Sequence, residues 1–400
     1  MFYLPVVTPW WFERIIIPLV KALALGAEVH VMVPPLWSGT GIGRANRNSI
    51  ASVQGVFWHL LDGPDHPKLR TDASGEDDLF ALIDQIAPDI TLCRTADIAS
   101  TKRISGTVRY IMEGGGAPLG GKSHRICFAD SLFDFAEMPD LTPSEIELCE
   151  RAGRDFWANR IERLQMDTRE AWRKRLALPD GKKLYGLPLE YEHEENFFGQ
   201  HHAFASAIET VKAVVERLPD DAILLVTHHP LTERHGDVSA VNGLIADLRG
   251  RAILVEAEER QAFATWHMCR HCDGMIIDNT KSWSVAAAFG TPILRLSRFG
   301  FGDWVQEYRD MDRFFDEVGR GVAKAVALAD VQRWFGYHAI NVMFDPRDPR
   351  LTADELMARA SREVMPETWE ARLADCNAEL IALAAEIEAR ERTHEKRQAA

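Results

Sequence analysis

A chain of 400 residues, 46% hydrophobic and 26% charged, is long enough for about two domains with full cores and excludes the disordered and fibrous classes. Its formal net charge of −14 excludes a protein that coats nucleic acid, because neutralising phosphates takes clustered Lys and Arg. A site that grips one or two phosphates needs only a local positive potential and stays open.

The first seventeen residues, MFYLPVVTPWWFERIII, lack the basic start, apolar stretch and small-residue cleavage site of a signal peptide. Glu13 and Arg14 break their apolar run far short of the ~18 residues of a membrane span. The expectation is a soluble, cytoplasmic protein, with contact at the inner membrane limited to its surface. Six cysteines without framework spacing suit a reducing compartment.

The first half alternates strand and helix signals. Phe2 to Val7 reads as a strand, and Phe12, Ile15, Ile16, Leu19, Val20 and Leu23 form a helical stripe. Gly26 closes it and Glu28 to Val33 follows as a strand, which makes a βαβ unit. Residues 34–54, rich in Gly, Ser, Asn and Arg, read as a long loop leaving the carboxyl end of that strand. Further strands are predicted at 55–60, 89–93 and 107–112, and helices at 76–86 and 144–164. Thr142-Pro143-Ser144 marks the start of the second of these helices.

A polar stretch at 166–182 reads as the crossing between domains. Beyond it the alternation restarts, with strands at 183–189, 222–227, 252–255, 274–278 and 292–296. Helices fall between them at 201–217, 238–249, 260–270 and 282–289. The predicted fold class is therefore α/β, with two doubly wound Rossmann-like domains facing a cleft, the GT-B architecture. The domains are taken as 1–165 and 183–335, with C-terminal helices over 336–400. On the last helix Trp369, Leu373, Cys376, Leu380, Leu383 and Ile387 form an apolar stripe. It suits packing onto the body of the chain, a homodimer through this helix, or a membrane surface.

Four places carry chemistry. Cys272 to Ile277 is an apolar strand that runs into Asp278-Asn279-Thr280-Lys281-Ser282 and then an alanine-rich helix. Free N–H groups at such a start favour an anion, and Lys281 adds a positive charge, although a simple helix cap explains the same residues. Leu224 to Thr227 delivers His228, His229 and Pro230 to a strand end. A histidine there can donate to a phosphate or move a proton, and proline fixes the backbone beside it. The acidic run from Glu190 to Glu195 is either a solvated loop or the source of a carboxylate for glycosyl chemistry. Glu113 closes a strand ahead of Gly114-Gly115-Gly116 and, further on, Gly120-Gly121. Such a loop lets a ligand approach the backbone closely, with a carboxylate placed as a base at its mouth. Cys269 and Cys272 with His267 and His271 lack a second ligand pair, and no Asp-x-Asp stands beside a strand end, so no metal or cofactor is expected.

In order, these motifs resemble the bacterial capsule-polysaccharide biosynthesis family that includes the retaining β-Kdo transferases. The resemblance runs through Glu113-Gly114-Gly115, Pro188-Leu189-Glu190-Tyr191-Glu192-His193-Glu194, His229-Pro230, Asn279-Thr280-Lys281 and Gly290-Thr291-Pro292. It is good over 183–296 and thin before. It implies a GT-B glycosyltransferase of surface-polysaccharide (capsule or lipopolysaccharide) biosynthesis, with a CMP-activated sugar acid such as Kdo as donor and a glycan or glycolipid as acceptor. His229, Pro230, Asn279, Thr280, Lys281 and Ser282 would surround the nucleotide phosphate, Glu113 would be the base, and Glu194 would stand where the family has its nucleophilic aspartate. Lys281 replaces the second serine of the family pattern and Val285 its helix glutamate. A UDP-sugar epimerase of the same architecture, or a scaffold that has lost catalysis, are the rival readings.

Overall fold

The computed structural model describes residues 1–116, 125–161, 166–256, 264–300 and 302–398. The first sheet comprises β1 (Phe2–Tyr3), β2 (Val29–Val33), β3 (Val56–Leu60), β4 (Ile90–Cys93), β5 (Thr107–Glu113) and β6 (Ile126–Ala129). Their order is β3-β2-β1-β4-β5-β6, all parallel except the β5–β6 pair. The second sheet holds β7 (Lys183–Pro188), β8 (Ala222–Thr227), β9 (Ala252–Leu254), β10 (Gly274–Ile277) and β11 (Ile293–Arg295). It is wholly parallel and ordered β11-β10-β7-β8-β9. Counted from its own first strand, each unit is wound 3-2-1-4-5. In such sheets the crevice for ligands opens where the order reverses, at the carboxyl ends of the strands. Those places are between β1 and β4 and between β7 and β10. Two doubly wound units joined in this way form the GT-B architecture.

The strands form where apolar residues run unbroken, as in Ala222–Thr227, buried along its whole length, because both faces of a parallel sheet are covered by helices. The antiparallel β6 was not among the predicted strands. It is four residues long and follows a glycine-rich segment that masks its pattern.

The predicted helix after β1 is broken by a wide turn. Pro18 has no N–H to give Arg14, so the chain widens over Phe12–Ile16, where the Ile17 N–H reaches the Phe12 carbonyl. The helix ends at Leu23, before Gly26. Gly26 serves a close contact instead, since a Cβ on it would stand 2.9 Å from Ala353 Cβ. The loop at 34–54 also has structure. Arg70, fully buried, donates to Thr40 Oγ1 at 2.7 Å and to the Pro35 carbonyl at 2.8 Å, and helix Arg47–Ala51 follows.

The predicted helix at 144–164 runs as Pro143–Phe156 with a wide turn at Trp157–Ile161, and 162–164 lie outside the described residues, as do 260–263 and Gly120-Gly121. Thr142 and Glu145 form a full capping box at its start. Helix Leu328–Tyr337 packs against it, and a Cβ on Gly153 or Gly336 would strike the facing backbone. The last helix, Pro366–Gln398, buries Trp369, Leu373 and Leu380 against the chain's own Ala152, Phe335 and Ile340. That part of the stripe is packed onto the body; the side chains of Leu383 and Ile387 lie outside the described set. Among the described residues no helix is long and apolar enough to cross a membrane.

Candidate functional site

In the second unit three strand ends converge. β7 runs out into Glu190, β8 into His228 and His229, and β10 into Asp278, Asn279 and Thr280. Glu190 accepts from the Asn279 N–H at 2.8 Å and from the Thr280 N–H. Two N–H groups that the sequence offers to an anion are thus held by an internal carboxylate. Burial, with the nearby charge of Asp278, pushes Glu190 up to about 7. Burial likewise raises Asp278 to about 6, while its Oδ2 accepts from Ala203 N at 2.8 Å.

Asn279 is spent on the fold: its amide donates to the His201 carbonyl at 3.0 Å and accepts from Ser297 Oγ at 2.5 Å. Thr280 Oγ1 accepts from the Ser282 N–H at 3.4 Å. The hydroxyls of Thr227 and Ser282 and Asp278 Oδ1 are buried without a hydrogen-bond partner among the described residues. These atoms come from the ends of β8 and β10, which lie on either side of β7, and from the helix start that follows β10.

His228 is not among them, because its Nε2 is 2.7 Å from Asn242 Oδ1. His229 is different. Its Nδ1 accepts from the Leu231 N–H at 3.2 Å, capping the short helix that Pro230 begins. Burial and the charge of Lys281 lower its pKa to about 4. An imidazole that is uncharged and accepts at Nδ1 carries its proton on Nε2, a donor suited to a phosphate oxygen.

The first unit contributes Glu113, the last residue of β5. Lys281 Nζ lies 2.5 Å from Glu113 Oε2 across the cleft, with 29% and 42% of the two side chains exposed. The Lys281 ammonium, helped by Arg94 and opposed by burial, holds the Glu113 carboxyl below its ordinary range. Met343 and Phe135 press on Gly114 and Gly115 so closely that a Cβ would clash with them. The glycines let the turn after Glu113 pack down.

The structure therefore brings Glu113, His229, Lys281 and Ser282 toward one place. Asn279 and Pro230 shape it. Glu194 stands on an exposed turn. Three contributors were missed by sequence reasoning. Glu190 is the first polar residue after the apolar β7, a signal passed over in favour of Glu194. Arg94 occupies the same place after β4, donates to the Ile111 carbonyl at 3.2 Å and stacks on Trp11 and Phe198. The segment Phe197–His201 crosses between the units, with Gln200 and His201 donating to the Ala96 carbonyl at 3.0 and 2.6 Å. Among the described residues no group of three His, Cys, Asp or Glu is set to hold a metal.

No protein-family model and no curated protein sequence matches the chain. Among solved structures it is similar to the KpsC β-Kdo 2,7 transferase of Thermosulfurimonas dismutans, at 11% identity over 84% of this chain and 99% of that one, with a TM-score of 0.45. The β-Kdo 2,4 transferase of the same organism's KpsC gives 10% identity, coverage of 82% and 88%, and 0.37. The UDP-GlcNAc 2-epimerase of Methanocaldococcus jannaschii gives 11%, 80% and 95%, and 0.29. Scores this low decide neither fold nor activity, which rest on the sheet order and on the residues at the cleft.

Proposed function

We propose that the chain is a glycosyltransferase of surface-polysaccharide biosynthesis that takes a sugar acid of the Kdo type from its CMP-activated form and passes it to a glycan or glycolipid acceptor. The observation that carries the reading is the meeting of an uncharged His229, Lys281 and Glu113 where the two units face each other. The donor phosphate takes the Nε2–H of His229 and the ammonium of Lys281, which together stabilise the charge that builds on the departing nucleotide. As Lys281 turns to the phosphate, Glu113 loses its partner, regains basicity and accepts the proton of the acceptor hydroxyl. A nucleophile at Glu194, as the resemblance would have it, would have to come in from an exposed turn, so the reading assigns it no role. The motif order from Glu113 to Pro292 supports CMP and a sugar acid, and the reaction places the protein in the cytoplasm at the inner face of the membrane.

The test is CMP release from CMP-Kdo, followed with and without an oligosaccharide acceptor. Acceptor-dependent release is expected, with Glu113→Gln and His229→Ala folded but slowed by about 10²–10⁴-fold. Unchanged rates in both variants, or release indifferent to acceptor, would contradict the reading.

A further inference from the structure

Arg94 follows β4, at the place where the strand order of the first unit reverses and its crevice opens. Its N–H donates to the Tyr3 carbonyl at 2.9 Å, and its carbonyl accepts from the Val6 N–H at 3.0 Å. The backbone is thereby fixed against the end of β1. The guanidinium lies between two rings, 4.0 Å from the centroid of Trp11 and 4.6 Å from that of Phe198. Only Nη1 is engaged, donating to the Ile111 carbonyl at 3.2 Å and to Met112 Sδ at 3.7 Å.

These contacts orient the group and leave its charge unanswered. Among the described residues no carboxylate pairs with Arg94, and its Nε and Nη2 make no hydrogen bond. Glu113 acts on it only through space, because Glu113 Oε2 is held by Lys281 Nζ at 2.5 Å. The free nitrogens are not sealed away either. Arg109, Arg251 and Arg295 each bury an unpartnered Nε, whereas Arg94 does not, and its side chain is partly exposed. Burial pushes its pKa down only to about 10, so it stays charged near neutral pH. Holding a cation largely out of water without a partner is costly, and an anion from outside removes that cost. The Nε and Nη2 edge of a guanidinium takes two oxygens of a carboxylate or phosphate side by side. Arg94 is also close enough to help lower the Glu113 pKa, so an anion bound there lies near the base.

We propose that Arg94 holds one oxyanion of the acceptor, a carboxylate or a phosphate, and so selects an acidic acceptor. The inference rests on the glycosyltransferase reading, in which the acceptor hydroxyl comes to Glu113 on this side of the cleft. Titration of the full chain tests it, with methyl glucuronide and glucose 6-phosphate as anionic probes and methyl glucoside as the neutral one. CMP binding is measured on the same samples. At least one anion should bind at least about tenfold more tightly than the glucoside, and which one does separates carboxylate from phosphate. Arg94→Gln should lose that preference while CMP binding holds; Arg94→Met serves if it does not fold. Arg94→Lys keeps the charge but gives up the stack between Trp11 and Phe198, and should keep part of the preference. The proposal is overturned if neither anion is preferred or if Arg94→Gln keeps the preference. It is overturned too if Arg94→Lys loses as much as Arg94→Gln, which marks a purely structural stack. A variant that weakens CMP-Kdo more than CMP gives Arg94 to the donor and overturns it as well. CMP binding without anion preference sinks this inference and leaves the enzyme reading; an Arg94-dependent preference without CMP binding does the reverse.

Discussion

Lys281 and Glu113 are 168 residues apart in the chain and 2.5 Å apart in the fold. Lys281 is the largest cause of the low Glu113 pKa, ahead of burial, which acts the other way. Replacing Lys281 with Met leaves burial dominant, so the acid limb of the kcat/KM profile should move to higher pH. An unmoved limb would mean that Glu113 is not the titrating base. Glu190 makes a separate prediction about stability. It titrates near 4.5 when unfolded and near 7 when folded, so the folded state holds the extra proton between those values. Its contribution is full below about pH 4.5 and is lost as the pH rises to about 7. Glu190→Gln keeps the acceptor for Asn279 and removes the titration. It should match wild type near pH 4.5 and exceed it by roughly 1–3 kcal/mol at pH 8 in urea unfolding. A difference independent of pH would refute the assignment. The sequence showed Glu113, His229 and Lys281 as strand-end and helix-start groups, each by its neighbours. It did not show the ion pair between them, because no local pattern encodes a contact made by two sheets meeting.

At the scale of elements, the parallel strands were legible because burial on both faces leaves continuous apolar runs such as Ala222–Thr227. The wide turn at Phe12–Ile16 was not, since the stripe of Phe12, Ile16 and Leu19 survives a change of one residue per turn. The glycine at 26 was read as a stop because helix ends favour glycine; its work is to admit Ala353, a contact no local signal carries. The stripe on the last helix was legible, and so was packing as one of its three outcomes. Trp369 is fully buried and its Nε1 donates to Asn341 Oδ1 at 2.8 Å. Trp369→Ala should therefore cost about 3–5 kcal/mol in denaturant unfolding. A loss below about 1 kcal/mol would show that the helix does not dock as described.

For the whole molecule, several contacts among the described residues join the units, Arg295 to the Phe133 carbonyl and Trp304 to the Ala136 carbonyl among them, and two more differ in kind. One is the half-exposed Glu113–Lys281 pair, and pairs of that exposure are worth about 0–1 kcal/mol. The other is the segment Phe197–His201, whose Phe198 ring lies under Arg94 and whose His201 and Gln200 bond the Ala96 carbonyl. Closure should thus survive Lys281→Met in small-angle scattering, and the radius of gyration should grow when Phe198 and His201 are both replaced by Ala. The reverse pattern would make the ion pair the main tie. In the proposed reaction His229 and Lys281 form a nucleotide-phosphate site. Calorimetric titration of CMP into the full chain tests it most directly, beside UDP, ADP and GDP. CMP is expected to bind most tightly, and His229→Ala to weaken it at least about tenfold. Failure of every nucleotide to bind, or equal CMP affinity in the variant, would contradict it.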